Sequence, residues 1–309
     1  TASALVIDHN PQLSSLDGLS GLTEVSGNLY FAGNAALTSL AGLHSLTRVG
    51  AYLTFDANGA LTSLDGLDSL THVGDDLRIG PEASLVSVSA LGSLTTIGGA
   101  LDLRANPILT SLHGLEALTE ARALWIRDHT ALTSLDGLSG LTTLHEGLIV
   151  SGDTALTTLH GLGSITAVPA TLEVFGNTHL TTLADLTSLR SVGDSLYVQQ
   201  NASLTSLTGL EHVTTLASAL FVANNAALLN LTGLDGLVSV GGVMEITSNP
   251  SLTSLHGLES LSTVGLSGGR ILTITGNPLL ASISGLDGLT DVAGLAIGQN
   301  PSVCQDDVD

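Results

Sequence analysis

The stretch Val49–Leu64, VGAYLTFDANGALTSL, sets the pattern of the whole chain, because variants of it recur from one end to the other. In this copy the polar residue before the leucine run is Asn58. The corresponding anchor positions are mostly asparagine: Asn10, Asn34, Asn58, Asn106, Asn177, Asn201, Asn225, Asn249, Asn277 and Asn300. Glu82, His129 and Asp153 fill the three gaps in this series, which makes thirteen anchors, most of them 24 residues apart. A fixed period of this length predicts a solenoid.

The apolar positions within one repeat predict short strands joined by corners. Leu53 and Phe55 are separated by one residue, as in a strand with one buried face. Leu61, Leu64 and Leu67 then follow at intervals of three, which matches neither a helix nor strict alternation. We therefore expect coils that keep one side inward and stack to bury it, with little or no α-helix.

The anchor asparagines and a set of glycines each recur at a regular spacing, and these two columns explain how such coils could stack. An inward turn removes backbone N–H and C=O groups from water, and an asparagine side chain can both donate and accept hydrogen bonds there. The anchors therefore predict an asparagine ladder. A glycine column predicts a bend with positive φ or close backbone approach. Its members are Gly18, Gly42, Gly66, Gly114, Gly137, Gly161, Gly209, Gly233, Gly257 and Gly285.

The repeat V-G-x-x-L-x-I-x-x-N-x-x-L-T-S-L resembles the leucine-rich repeat superfamily, and more closely its receptor L-domain type. Val49-Gly50, Leu53-Thr54-Phe55, Asn58, Leu61 and Leu64 carry the resemblance in one unit. It implies a mainly β, right-handed β-solenoid of about thirteen coils of 24 residues, with parallel sheets. It also implies a secreted or cell-surface protein that binds, recognises or adheres and is not an enzyme. The repeats leave room for one domain over residues 1–309, which we expect to be a trimmed fragment of a longer protein.

Composition excludes several classes of partner. The chain has 7 Lys and Arg against 28 acidic residues and a formal charge of −21. Nucleic acid and anionic membrane surfaces are disfavoured, because both need clustered cations. No direct membrane insertion and no cofactor are expected. Cys304 has no partner thiol in the chain, so an internal disulfide is excluded. Open coil ends would allow end-to-end self-association.

The outward strand positions provide the candidate ligand-binding residues. Exposed aromatic and arginine side chains are typical of binding hot spots. Cross-strand packing on a β surface is the equally weighted alternative. The candidates on these strands are Tyr30, Arg78, Asp102, Arg104, Trp125, Arg127, Tyr197 and Phe221. His129 is a further candidate, because it replaces an anchor asparagine and local departures from a regular pattern are where function is expected. Drift in a tolerant repeat is the equally weighted alternative for His129.

Three weaker possibilities concern other surfaces. Glu211, Asp235, Glu259 and Asp287 form an acidic column that could hold Ca²⁺, although screening of these charges by water and salt is favoured. Long threonine columns, such as Thr157, Thr181 and Thr205, resemble those of ice-binding solenoids. Hydroxyls that satisfy turn backbones explain them more simply. The four-residue insertion near Leu266–Arg270 predicts a loop.

The sequence thus favours an extracellular recognition or adhesion module that binds a protein or a glycan. No nucleophile elbow, zinc-protease motif or phosphate-binding loop is present. The alternatives are a structural spacer or stalk of a surface protein and, less favoured, an ice-binding or calcium-binding solenoid.

Overall fold

The computed structural model describes residues 2–265 and 271–303. Contacts between Cα atoms divide the chain into two compact units, which we describe separately. The first unit comprises residues 2–145, 152–155 and 160–164. The second unit comprises residues 146–151, 156–159, 165–265 and 271–303. The expectation of a single domain over 1–309 stays a prediction. The Leu266–Arg270 insertion and Cys304 lie outside the described residues.

The first unit contains two parallel sheets that run along a stack of coils. Its long strands pair in chain order, and Leu53 lies opposite Leu29 on one side and Leu77 on the other. The long strands are Leu5–Asp8, Leu29–Ala32, Leu53–Asp56, Leu77–Ile79, Ala100–Arg104 and Ala123–Arg127. The short strands are Glu24–Val25, Arg48–Val49, His72–Val73, Thr96–Ile97, Glu120–Ala121 and Thr143–Leu144. Its 3-10 helices are Asp17–Leu19, Ala41–Leu43, Ser89–Leu91 and Asp136–Leu138.

The second unit repeats this plan. Its long strands again pair in parallel and in chain order. They are Leu148–Ser151, Leu172–Phe175, Leu196–Gln199, Leu220–Ala223, Met244–Thr247, Leu272–Thr275 and Leu295–Gly298. The short strands are Ala167–Val168, Ser191–Val192, Thr215–Leu216, Ser239–Val240, Thr263–Val264 and Asp291–Val292. Its 3-10 helices are Ala184–Leu186 and Ser284–Leu286.

Each unit is therefore a β-solenoid with an aliphatic interior, which confirms the predicted fold class. Leu61, Leu64 and Leu67 are fully buried, as expected from their spacing of three. Phe31 and Phe55 stack at a centroid distance of 5.4 Å in adjacent coils. Within the described ranges, the helices are three-residue 3-10 turns. No helix there has the length and apolar character needed to cross a membrane.

The anchors form the predicted ladder. The Asn58 Oδ1 atom accepts hydrogen bonds from the Asn34 backbone N–H at 3.2 Å and from the Asn34 side-chain amide at 3.0 Å. The Asn58 amide then donates to the Phe31 carbonyl at 3.1 Å. Asn225 makes the same connections in the second unit, to Asn201 and Val198. Each asparagine thus links its own coil to the preceding one.

The glycine column marks a close approach between successive coils. A Cβ atom at Gly42 would lie 1.9 Å from the Leu16 carbonyl oxygen, and one at Gly66 would lie 2.0 Å from the Leu40 carbonyl oxygen. Gly66 also has a φ of +111°, which residues with an L side chain rarely adopt. Both physical reasons predicted for the column are therefore present. Gly18 occupies the same place in the first coil, but a Cβ there meets no atom within 4 Å.

We predict that Gly42→Ala lowers the free energy of unfolding by about 1–3 kcal/mol, because the new methyl group displaces the Leu16 carbonyl. Gly18→Ala is the matched control, since both glycines occupy the centre of a three-residue 3-10 helix. We expect it to change stability by less than about 0.5 kcal/mol. Urea denaturation measures both variants. Equal effects at the two positions would contradict the close-approach explanation.

Candidate recognition surface

The strand register of the first unit places three arginines on one outward face. Arg78 pairs in register with Asp102, and Arg104 pairs with Arg127. Trp125 lies opposite Asp102 in the same ladder. The alternating strand residues are buried in the core, so these five side chains leave the sheet on its other face. The predicted outward stripes are thus confirmed by the register.

Arg127 is held in place by its neighbours. Its Nη2 atom lies 2.7 Å from the Asp102 Oδ1 atom, and its guanidinium carbon lies 5.4 Å from the centroid of the Trp125 ring. The Asp102 side chain is only 5% exposed. Its inclusion among the ligand contacts was therefore wrong, because this carboxylate is buried beneath the guanidinium that neutralises it. Asp102 positions Arg127, and Trp125 remains half-buried beside the pair.

His129 is a buried ladder residue, so the prediction that it contacts a ligand was also wrong. Its side chain is fully buried, with Nδ1 at 2.7 Å from the Asp153 Oδ1 atom. Its Nε2 atom lies 3.4 Å from the Asn106 side-chain amide. The imidazole therefore occupies the place that an asparagine amide takes in other coils. Burial raises the pKa of Asp153, and the hydrogen bond from His129 opposes part of that rise.

A hollow of about 410 Å³ opens on the outward face of the first unit. We call it the Thr54 hollow, because in the sheet Thr54 lies between the larger Tyr30 and Arg78. Tyr52, which is exposed, stands under the Arg78 guanidinium at 5.4 Å from the ring centroid. The residues that line the Thr54 hollow are Val6, Asn28, Leu29, Tyr30, Tyr52, Thr54, Asp56, Arg78 and Arg104.

The two arginines of the Thr54 hollow have different partners. The Arg78 Nη2 atom lies 2.5 Å from the Asp76 Oδ2 atom, so this charge is already neutralised. The Arg104 Nε–H instead donates to the Gly80 carbonyl at 3.1 Å. Among the described residues, Arg104 makes no ion pair. It is therefore an anchored cation whose terminal nitrogens remain available.

The tyrosines of the hollow are hydrogen-bond donors at physiological pH. Burial, followed by the charges of Asp56 and Asp8, raises the pKa of Tyr30 above its ordinary value. A hydrogen bond with Asp75, followed by the charge of that carboxylate, raises the pKa of Tyr52. Both phenols therefore stay protonated, and the hollow combines phenol, hydroxyl, carboxylate and guanidinium groups.

The remaining aromatic candidates lie on the outward face of the second unit. Tyr197 and Phe221 stack at 5.1 Å between centroids, with an angle of 11° between their planes. Glu173 precedes and Glu245 follows this pair in the strand register. Both rings are half-buried by each other, so cross-strand packing accounts for part of their placement.

The acidic column of the second unit has a local structural role. The Glu211, Asp235 and Glu259 carboxylates accept the backbone N–H groups of the glycines two residues earlier, at distances of 2.7–3.0 Å. They thus satisfy turns in which glycine has positive φ. Across residues 2–265 and 271–303, no group of three or more His, Cys, Asp or Glu side chains could hold a metal ion. The weak calcium prediction, which also included Asp287, is not supported by this geometry.

Threonine hydroxyls likewise serve the backbone. The Thr205 Oγ1 atom donates to the Thr181 carbonyl at 3.4 Å, and the Thr181 Oγ1 atom donates to the Thr157 carbonyl at 3.3 Å. In the first unit, the Thr71 Oγ1 atom makes a similar bond to the Thr47 carbonyl at 3.1 Å, in a different threonine column. These contacts match the simpler explanation of the columns and provide no feature that is specific to ice.

The contact between His72 and Thr96 has the residue types of a base and a nucleophile. His72 Nδ1 lies 2.7 Å from the Thr96 Oγ1 atom. Burial, followed by the charge of Arg48, lowers the pKa of His72. The contact lies between short strands, outside the Thr54 hollow. In the register its neighbours are Arg48 before His72 and Glu120 after Thr96. Among the described residues, no carboxylate forms a hydrogen bond or ion pair with the His72 imidazole, so the carboxylate of a catalytic triad has no counterpart at this contact.

Glu82 replaces an asparagine of the ladder with a buried carboxyl group. Its Oε1 atom accepts a hydrogen bond from the Asn58 amide at 2.9 Å. The other oxygen, Oε2, is buried without a hydrogen-bond partner among the described residues. Burial raises the pKa of Glu82, and the hydrogen bond from Asn58 opposes that rise. The ladder therefore favours the neutral form of this side chain.

Comparisons with known proteins give little further information. No family model matches the chain, and no curated protein matches it. A crystal structure of a TLR13–ssRNA13 complex is similar over 93% of this chain and 68% of that chain, with 15% sequence identity and a TM-score of 0.14. A likeness at that TM-score carries no argument, so the functional case depends on the side chains described above.

We predict that Arg127→Ala destabilises the fold by roughly 2–3 kcal/mol, because it leaves the Asp102 carboxylate buried without a counter-charge. The double change Asp102→Ala with Arg127→Ala should recover part of that loss. Arg48→Ala is the control: its guanidinium lies 4.0 Å from Glu24, both side chains are more than 40% exposed, and the expected cost is below about 1 kcal/mol. Chemical denaturation of all three variants tests the assignment. A loss no larger than that of Arg48→Ala would contradict it.

We also predict that Glu82→Gln stabilises the protein at pH 7 by about 1–3 kcal/mol, because burial opposes an ionisation that the unfolded chain undergoes freely. Because the pKa of Glu82 is raised in the folded state, the free energy of unfolding of the wild-type protein falls as pH rises from the unfolded-state pKa through the folded-state pKa. The advantage of the glutamine variant should therefore shrink towards pH 4. Glu245→Gln, on a half-exposed strand position, should show no such pH-dependent gain. Thermal unfolding at several pH values is the measurement.

Proposed function

We propose that this protein is a non-enzymatic recognition or adhesion module that acts outside the cell or on its surface. In this proposal, it binds a protein or glycan through the outward face of its long strands. The extracellular role rests on the resemblance to receptor L-domain repeats. The single observation that carries binding is the cluster of arginine and aromatic side chains on the first unit of an otherwise acidic chain.

Charge and geometry support this choice of surface. Of only 7 basic residues in a chain of charge −21, three lie on three adjacent strands of one face. Arg104 and the aromatic rings of Tyr52 and Trp125 are available there, and such side chains dominate binding energy at interfaces. A passive spacer would have no need for an unneutralised guanidinium in a hollow. A structural spacer is therefore the alternative function, and a binding experiment that finds no specific ligand would favour it.

The test is to apply the labelled full chain to arrays of glycans and of secreted or cell-surface protein domains. We predict that Arg104→Gln weakens binding to each specific hit at least tenfold, because it removes the free cation. Arg190→Gln is the matched control, since Arg190 is exposed elsewhere and donates to the Thr187 carbonyl. Specific hits that bind wild type, Arg104→Gln and Arg190→Gln equally would refute the proposed surface. An absence of hits would favour the spacer.

A further inference from the structure

The Thr54 hollow contains several polar groups that no neighbouring residue uses. Within the described residues, the Thr54 hydroxyl, the Tyr30 phenol and the Asp56 carboxylate make no hydrogen bond or ion pair. All three line the same hollow and are half-exposed. They supply both donors and acceptors within one small site. Such a set suits a ligand whose surface is covered with hydroxyl groups.

Arg104 adds a requirement for one negative charge. Its Nε–H is held by the Gly80 carbonyl, while its side chain is exposed and lines the hollow. The terminal nitrogens of a guanidinium match the two oxygens of a carboxylate. Arg78 cannot serve equally, because Asp76 already neutralises it. Among the described residues, Arg104 is therefore the one arginine of the hollow without an ion pair.

The surrounding charge limits how anionic the ligand can be. Asp56 lines the hollow, Asp8 lies close enough for its charge to affect Tyr30, and the whole chain carries −21. A polyanion would be repelled by this field, whereas a ligand with one carboxylate would meet Arg104. The volume of about 410 Å³ lies within the range of small-ligand sites. The aromatic rings of Tyr30 and Tyr52 add apolar surface that can pack against the body of such a ligand.

We propose that the Thr54 hollow binds an acidic sugar unit, a monosaccharide ring with one carboxylate, at the end of or within an otherwise neutral glycan. Arg104 contacts the carboxylate, while Asp56, Tyr30 and Thr54 contact the ring hydroxyls. The inference rests on the proposed function and names its ligand class. An acidic peptide would also satisfy Arg104, but its side chains bring few hydroxyl groups for the other three residues.

The experiment titrates the full chain with sodium D-glucuronate and sodium D-galacturonate and follows binding by calorimetry or ligand-observed NMR. Methyl D-glucuronate ester, methyl glucoside and a short neutral peptide with one glutamate are the comparison probes. Arg104→Gln tests the cation, and Arg48→Gln is its control outside the hollow. Thr54→Trp fills the hollow, and Thr273→Trp places the same bulk at the equivalent outward position of the second unit. Circular dichroism confirms that each variant is folded.

We expect saturable binding of at least one uronate, weakened tenfold or more by Arg104→Gln, by Thr54→Trp and by esterification of the carboxylate. Arg48→Gln and Thr273→Trp should bind as the wild type does. Binding of the glutamate peptide in an Arg104-dependent manner, without uronate binding, would overturn the sugar assignment and leave the proposed function intact. If no probe binds and Arg104→Gln changes none of the array hits, both the ligand class and the proposed surface are wrong.

Discussion

The stack depends on one constraint: the backbone groups at each inward turn must find partners away from water. An asparagine meets this requirement in a single side chain, because its oxygen accepts two bonds from the preceding anchor and its nitrogen donates to a carbonyl of the preceding coil. The aliphatic core alone would allow coils to slide, since leucine contacts are not directional. The amide ladder fixes the register, and the register in turn decides which outward side chains become neighbours.

The exceptions in the ladder have structural rather than recognition roles. A carboxyl at Glu82 and an imidazole at His129 still accept or donate along the same line as the amides. Their burial excludes contact with a ligand. Sequence reasoning treated the departure at His129 as a sign of function, because irregular positions in a regular repeat often have one. The burial of the whole anchor column shows why that reasoning failed there. A buried position tolerates only substitutions that preserve its hydrogen bonds.

Periodicity predicted the strands, the core and the outward stripes, because each depends only on spacing along the chain. It could not predict the Asp102–Arg127 ion pair, which joins two strands across the diagonal and depends on side-chain rotamers. The type of turn could have been predicted from the sequence, but the signal for it was not recognised. At most of the column's glycines with positive φ, including Gly66 and Gly114, an acidic residue two positions later accepts the glycine N–H. The acidic column, which sequence reasoning weighed only as screened charge or a weak calcium site, therefore also marks turns at Glu211, Asp235 and Glu259.

Pairing decides which of the clustered arginines can act on a ligand. Arg78 is neutralised by Asp76 and Arg127 by Asp102, and each packs against an aromatic ring. These pairs leave Arg104 as the one arginine of the three without an ion pair in the described part of the chain. In a strongly acidic protein, the pairing of Asp76 and Asp102 with the other two arginines leaves fewer nearby carboxylates to compete with an anion for Arg104. Selectivity in such a surface arises from which charges the fold has already paired.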